Sequence, residues 1–302
     1  MLLAGDWVLS PARTQCATAP SRAPYAEPVA SAPDLSPRLR DALMSGVALL
    51  PAGANVVMQL SQLPVGHAVA RSRVAEGSLV RHPIKRTRTT LAFLAIAVFG
   101  TDAERLALRR EIDRSHARVR SGPDDPVAYD AFDPDLQGWI AACLYQGARQ
   151  AVELAGVDLA DYDDELFRVA ERLGTTLQVP DGWWPRDRAA FAHYWNEQMS
   201  RADFDDVTGP YLRTFVRLGF LPRPLAAVVG PPNSLLVGFF LPDRLRRDLA
   251  LNWNPRRERV ARALVTAISQ LWRRLPGPLR HFPLNWVLAD TRRRLSSGRA
   301  VV

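Results

Sequence analysis

The longest periodic pattern in this chain runs from Asp133 to Gly156, and it sets the class of fold. Asp133 precedes Pro134, a capping carboxylate ahead of a proline at the first helical position, where a missing N–H costs nothing. Leu136, Ile140, Cys143, Leu144, Gly147, Ala151, Leu154 and Ala155 then recur on one face, and Gly156 ends the run. Ser36–Pro37 repeats the same start, followed by Leu39, Leu43, Val47 and Leu50. Further helical segments are read over 54–63, 85–99, 102–119, 163–173, 185–201, 207–218, 241–251 and 255–275. Asp102 and Glu104 open the 102–119 segment and Arg118 and Arg120 close it, which suits the helix dipole; Gly174 stops the 163–173 segment. In the last, Val260, Leu264, Ile268 and Leu271 are expected to face inward. No segment alternates apolar and polar residues cleanly over five or more positions.

The expected fold is therefore all-α: one large bundle of about ten helices joined at Pro and Gly, spanning 37–302. Residues 1–36, with prolines at 11, 20, 24, 28 and 33, read as a flexible or extended leader. Leu241-Pro-Asp-Arg-Leu-Arg and Leu275-Pro-Gly-Pro-Leu-Arg look like a repeat. They are better read as two helix starts, each with its leucine packed inward, since two copies make no solenoid.

Scarce residues exclude several chemistries. The two cysteines, Cys16 and Cys143, form no disulfide scaffold and no CxxC pair, so free thiols and a reducing, cytoplasmic setting are expected. No two of the five histidines stand three or four apart, which argues against a zinc hydrolase. No GxSxG, P-loop or dinucleotide fingerprint occurs. The first ten residues do not resemble a secretory signal, and the longest apolar run, Leu91–Phe99, is too short for a membrane span of about 20 residues.

The formal charge is +8, and 38 of the 39 basic residues are arginine, Lys85 being the lone lysine. These arginines are scattered among acids in twos and threes, a solvated basic exterior rather than a nucleic-acid footprint. No nucleic acid is expected as partner.

His116 is the residue that chemistry singles out. It shares a helix side with Ile112 and Val119, while Arg86 and Thr90 lie four apart on the preceding helix, with Phe93, Leu94 and Ala97 extending an apolar wall. An imidazole on one helix and an Arg/Thr pair on the other can hold a haem: the imidazole takes the iron, and Arg and hydroxyl meet a carboxylate or a bound oxygen. A packed core histidine beside one more surface arginine fits the same spacing.

Several strings, in order, carry a family likeness. His116-Ala-Arg-Val-Arg-Ser is followed by Val127-Ala-Tyr-Asp-Ala-Phe-Asp-Pro-Asp-Leu-Gln-Gly-Trp139-Ile-Ala-Ala-Cys143-Leu-Tyr. Upstream stand Met58-Gln-Leu, Pro64-Val-Gly, and Arg86-x-x-x-Thr90 with Phe93 and Phe99-Gly100; downstream stand Leu173-Gly174, Val179-Pro180 and Trp184-Pro185. Over roughly residues 40 to 300 the chain resembles the DUF2236 family, which includes MpaB-like oxygenases and the catalytic domain of latex-clearing rubber oxygenase. The resemblance implies a globin-like helical bundle that binds haem b, with His116 as proximal iron ligand and Arg86 and Thr90 beside the haem. It departs from the family at three places. Thr89 stands where rubber oxygenase has a lysine that reaches the iron, and Ala141 where many relatives have a second histidine. No acid matches the glutamate proposed as catalytic in rubber oxygenase: Glu76 lies too near Arg86, and Ala70 holds the corresponding spacing.

Taken with that resemblance, the expected function is a haem-dependent oxygenase that uses O2 on an apolar, isoprenoid- or lipid-like substrate and cleaves a C=C bond. Arg86 is the arginine expected to turn inward. Two alternatives stay open. One is a haem oxidase or peroxygenase without cleavage. The other is a non-catalytic haem carrier or sensor, or an Arg-rich membrane-surface protein. For the last, 252–274 offers Trp253, Trp272 and six arginines around an apolar stripe, and peripheral membrane contact is compatible with either function. The oligomeric state is left open.

Overall fold

Proline sets where many of the helices begin. A computed structural model describes residues 35–71 and 82–301, and among them are fourteen α-helices. They are α1 (Pro37–Met44), α2 (Ala52–Leu60), α3 (Leu63–Ala70), α4 (Pro83–Phe99), α5 (Asp102–His116), α6 (Pro134–Leu154) and α7 (Asp163–Thr175), then α8 (Arg188–Ser200), α9 (Thr208–Val216), α10 (Arg223–Phe240), α11 (Asp243–Asp248), α12 (Pro255–Arg273), α13 (Gly277–Arg280) and α14 (Leu284–Ser296). Seven of them carry proline in the first two positions. Among the described residues the only β-structure is an isolated antiparallel bridge between Arg120 and Asp130. The all-α expectation holds. The expected leader 1–36 falls outside the described residues except for Leu35 and Ser36, as do Cys16 and Glu76.

The Asp133 carboxylate accepts hydrogen bonds from the N–H groups of Asp135 (2.8 Å) and Leu136 (3.3 Å) and starts α6 where the sequence marks it. The helix ends before Gly156, whose φ of +80° belongs to the left-handed region that glycine adopts without strain. Trp139, Ala141, Ala142, Cys143 and Tyr145 of α6 are fully enclosed, and α1, α2 and α7 pack around it. Its tie to α2 is polar: Asn55 Nδ2 donates to the Cys143 carbonyl (2.5 Å) and Trp139 Nε1 to the Gln59 carbonyl (3.1 Å). At Gly147 a Cβ would stand 2.7 Å from Asn55 Nδ2, so the close approach of the two helices requires glycine there.

The α4–α5 corner is built around Arg172 of α7. This side chain, 7% exposed, donates to the carbonyls of Ala97 (3.1 Å) and Gly100 (2.7 Å) and lies 3.8 Å from Asp102. Burial and the neighbouring Arg105 lower its pKa to about 10, opposed by Asp102. Arg172 is therefore a second inward-turned arginine besides Arg86, the one the sequence singled out. Thr101 and Glu104 then close a capping box at the start of α5. Arg105 and Arg109 reach across to Thr175 and Thr176 at the end of α7, fixing α5 against it.

The structure corrects several expectations. Helix α5 stops at His116 rather than at residue 119, because the chain turns there to pair Arg120 with Asp130. Gly174 lies inside α7, and its carbonyl receives the N–H groups of Leu177 and Val179. Four helices were not expected: α3, α10, α13 and α14. Pro231 and Pro232 disguise α10, yet Asn233 Nδ2 (2.8 Å) and Ser234 Oγ (3.1 Å) bind the Val216 carbonyl of α9 and hold the helix where propensity would end it. On α12 the buried line is Ala261, Val265 and Ser269; Leu264 and Ile268 are half-buried, and Val260 and Leu271 face out. In the repeat-like pair Leu245 is buried but Leu279 is exposed.

Candidate active site

A cavity of about 240 Å³ opens between α2, α3, α4, α5, α6 and the 117–132 loop. Its walls are mainly apolar, with Val56, Val65, Val69, Phe93, Ile112 and Ile140 among them. The Arg120–Asp130 bridge holds the loop so that Val119, Tyr129, Asp130 and Ala131 close one side. Arg86, Thr90, Phe93 and His116, chosen from sequence, all line this cavity. Leu94 does not. On α4 the lining residues 86, 89, 90 and 93 fall within a narrow arc, and Leu94 lies about 100° further round the helix from Phe93. It packs into the core instead, and Ala97 is fully buried.

His116, the last residue of α5, places Nδ1 3.2 Å from Oε1 of Gln178. The orientation of that amide follows from its other end: Gln178 Nε2 donates to the Asp113 carboxylate, which only accepts when ionised. Gln178 Oε1 therefore faces the ring and accepts from Gln137 Nε2 as well. Gln137 completes the clamp, its Oε1 accepting the Gln178 backbone N–H (2.6 Å) and its Nε2 donating to the Ala131 carbonyl (2.5 Å). An acceptor at Nδ1 makes His116 the Nδ1–H tautomer and leaves a lone pair on Nε2. Burial pushes the His116 pKa down and Arg86 adds to that, while the Gln178 bond, Asp113 and Asp130 oppose. The ring of Phe132 meets the imidazole edge-on, 6.3 Å between centroids.

Arg86 faces the same cavity and forms no ion pair among the described residues. Burial lowers its pKa, with Tyr211 of α9 opposing. Thr89 also lines the cavity, but its hydroxyl donates back to the Arg86 carbonyl (3.0 Å). Lys85 is exposed. The other histidines lie elsewhere. His67 is buried with Nε2 2.5 Å from Asp205, His281 pairs with Asp41, and His82 and His193 are exposed. Among the described residues no group of three or more His, Cys, Asp or Glu could hold a metal ion.

Sequence reasoning missed Gln178 and Gln137 as functional residues. Gln178 sits in the turn after α7, 62 positions from His116, and no local pattern marks it. A glutamine on the otherwise apolar buried face of α6 was the available signal for Gln137.

The family described as "ER-bound oxygenase mpaB/B'/Rubber oxygenase, catalytic domain" matches residues 39–270. Two relatives, uncharacterized proteins of Mycobacterium bovis and Mycobacterium tuberculosis, are each 40% identical over 255 residues, covering 84% of this chain and all of the relative. No solved structure matches.

Proposed function

The chain belongs to the mpaB/B'/rubber oxygenase catalytic-domain family, and on that premise we propose that it is a haem b-dependent oxygenase that acts with O2 on an apolar, isoprenoid- or lipid-like substrate and cleaves a C=C bond. The observation that carries the reading is an imidazole, anchored through Nδ1, sharing an apolar cavity with an arginine that has no ion pair among the described residues.

The donor set suits haem. His116 would hold the haem iron through the single lone pair at Nε2, and the bond at Nδ1 would raise its donor strength. The Arg86 guanidinium is costly where it stands unless an anion joins it, and a haem propionate is such an anion. When bound, haem supplies the activation of dioxygen.

The chain's own residues do the rest. The Asp113–Gln178–Gln137 clamp holds the imidazole plane and keeps its proton on Nδ1. Thr90 offers a hydroxyl donor at the cavity wall. Phe93, Ile140 and Leu144 exclude water and give an apolar substrate its surface. Enclosed Cys143 is a free thiol, in keeping with the cytoplasmic placement proposed here.

The test is O2 uptake by haem-loaded protein given an isoprenoid alkene such as squalene. Alkene-dependent uptake with aldehyde or ketone products supports cleavage. Epoxide or alcohol as sole product replaces cleavage with another oxygenation. No alkene-dependent uptake at full haem occupancy sinks the oxygenase reading.

A further inference from the structure

Arginines run along the whole chain, but its net positive charge is concentrated at one end. Residues 252–302 hold eleven arginines against two acids, Glu258 and Asp290, a net of nine positive charges; the rest holds 28 basic residues against 29 acidic ones, a net of minus one. The same segment holds five of the large apolar side chains left in solvent: Val260, Leu271, Leu279, Phe282 and Trp286, each more than half exposed.

These two features share a surface. Val260 and Leu271 are eleven residues apart on α12, about three turns, so they lie on one line along the helix. The bundle buries a different line, Ala261, Val265 and Ser269, against its neighbours. The outward line is therefore an apolar stripe that the fold leaves uncovered, and Arg256, Arg259 and Arg274 flank it. Glu258, the only acid of α12, is engaged by Arg262 (2.7 Å) and Trp253 (2.9 Å), and no carboxylate among the described residues pairs with those three flanking arginines. Trp272 Nε1 donates to the Arg280 carbonyl (2.9 Å), which ties the end of α12 to α13. Leu279, Phe282 and Trp286 follow at three- and four-residue steps and carry the apolar surface onto the start of α14.

We infer that the α12–α13–α14 face is a docking surface for an anionic lipid bilayer, with Leu271, Leu279, Phe282 and Trp286 entering the headgroup boundary and the flanking arginines meeting lipid phosphates. An apolar stripe rimmed by exposed arginines, with Trp and Phe at its end, has the chemistry of an interfacial helix. A second copy is a poor occupant, because two such faces would set like charges against each other. The inference rests on this surface alone and is tested on the protein without haem, so it stands or falls separately from the oxygenase reading.

The experiment is flotation of the full chain with vesicles of phosphatidylcholine, with and without phosphatidylglycerol. Binding is expected to be about tenfold or more stronger to the anionic vesicles and to fall with added salt. Arg256→Gln/Arg259→Gln/Arg274→Gln should remove most of that preference. The charge-matched triple Arg110→Gln/Arg114→Gln/Arg168→Gln, all exposed elsewhere, should keep it. Leu271→Gln/Phe282→Gln should weaken binding with an unchanged circular dichroism spectrum. Equal binding to neutral and anionic vesicles, no binding to either, or equal losses in the two arginine triples would overturn the inference. So would an oligomer in sedimentation that Leu271→Gln/Phe282→Gln dissociates while vesicle binding is absent, which would make the face a subunit interface.

Discussion

The Nδ1 nitrogen of His116 lies 3.2 Å from Oε1 of Gln178, and that contact decides which ring nitrogen is left for chemistry. The proton stays on Nδ1 and the lone pair on Nε2. The same contact makes Gln178, rather than any residue next to His116 in sequence, the group that positions the proposed ligand.

Gln178→Leu keeps the side-chain volume roughly constant and removes the acceptor. Partners that orient a ligating histidine are typically worth about 10- to 100-fold in metal affinity. Haem affinity is expected to fall by that amount, with the circular dichroism spectrum unchanged, in a titration followed by absorbance.

Arg86→Leu separates a structural arginine from a ligand-binding one. A guanidinium desolvated in the cavity, with no ion pair among the described residues, costs stability, so the variant without haem should melt at the same temperature as the parent or higher. Its haem affinity should fall about tenfold, the loss of one charge-assisted contact of roughly 1.4 kcal/mol. A lowered melting point with unchanged haem affinity would assign Arg86 to the fold.

Arg172→Leu should be far more damaging to stability. It leaves the Ala97 and Gly100 carbonyls without their donor at the corner that sets α4 against α5. A loss of about 2–4 kcal/mol is expected, read as a lower midpoint in urea.

Acid stability should report on Asp205. Its burial would raise the pKa, but hydrogen bonds from Thr208, His67 and Val207 outweigh that and hold it well below the usual carboxylate range. A folded pKa below the unfolded value of about 3.9 stabilises the fold above that pH, and the contribution is lost as pH falls towards the folded pKa. Asp205→Asn should therefore be less stable than the parent at neutral pH, and the gap should narrow below about pH 4 in thermal melts run across pH.

What could be read from sequence follows from how local each signal is. Asp133–Pro134 and Gly156 bracket α6 with groups that act on their own backbone, and the structure follows them. The Arg86/Thr90/Phe93 arc follows from helical period alone, while Leu94, one step further round, did not. Helix α10 was hidden because Pro231 and Pro232 oppose it locally and contacts to Val216 hold it from outside. The inward face of α12 was misjudged for a related reason. Its apolar residues span more of the helix than the bundle covers, and periodicity does not say which part meets a neighbour. Gln178 depends wholly on the fold, which brings the end of α7 to the end of α5.

The central claim is that His116 is an iron ligand in a haem pocket, and a haem titration of the purified protein tests it most directly. The account predicts one haem per chain with a sharp Soret band, lost in His116→Ala and recovered when imidazole is added to His116→Gly. A correctly folded protein that takes up no haem, or a His116→Ala variant that binds it with unchanged affinity and spectrum, would contradict it.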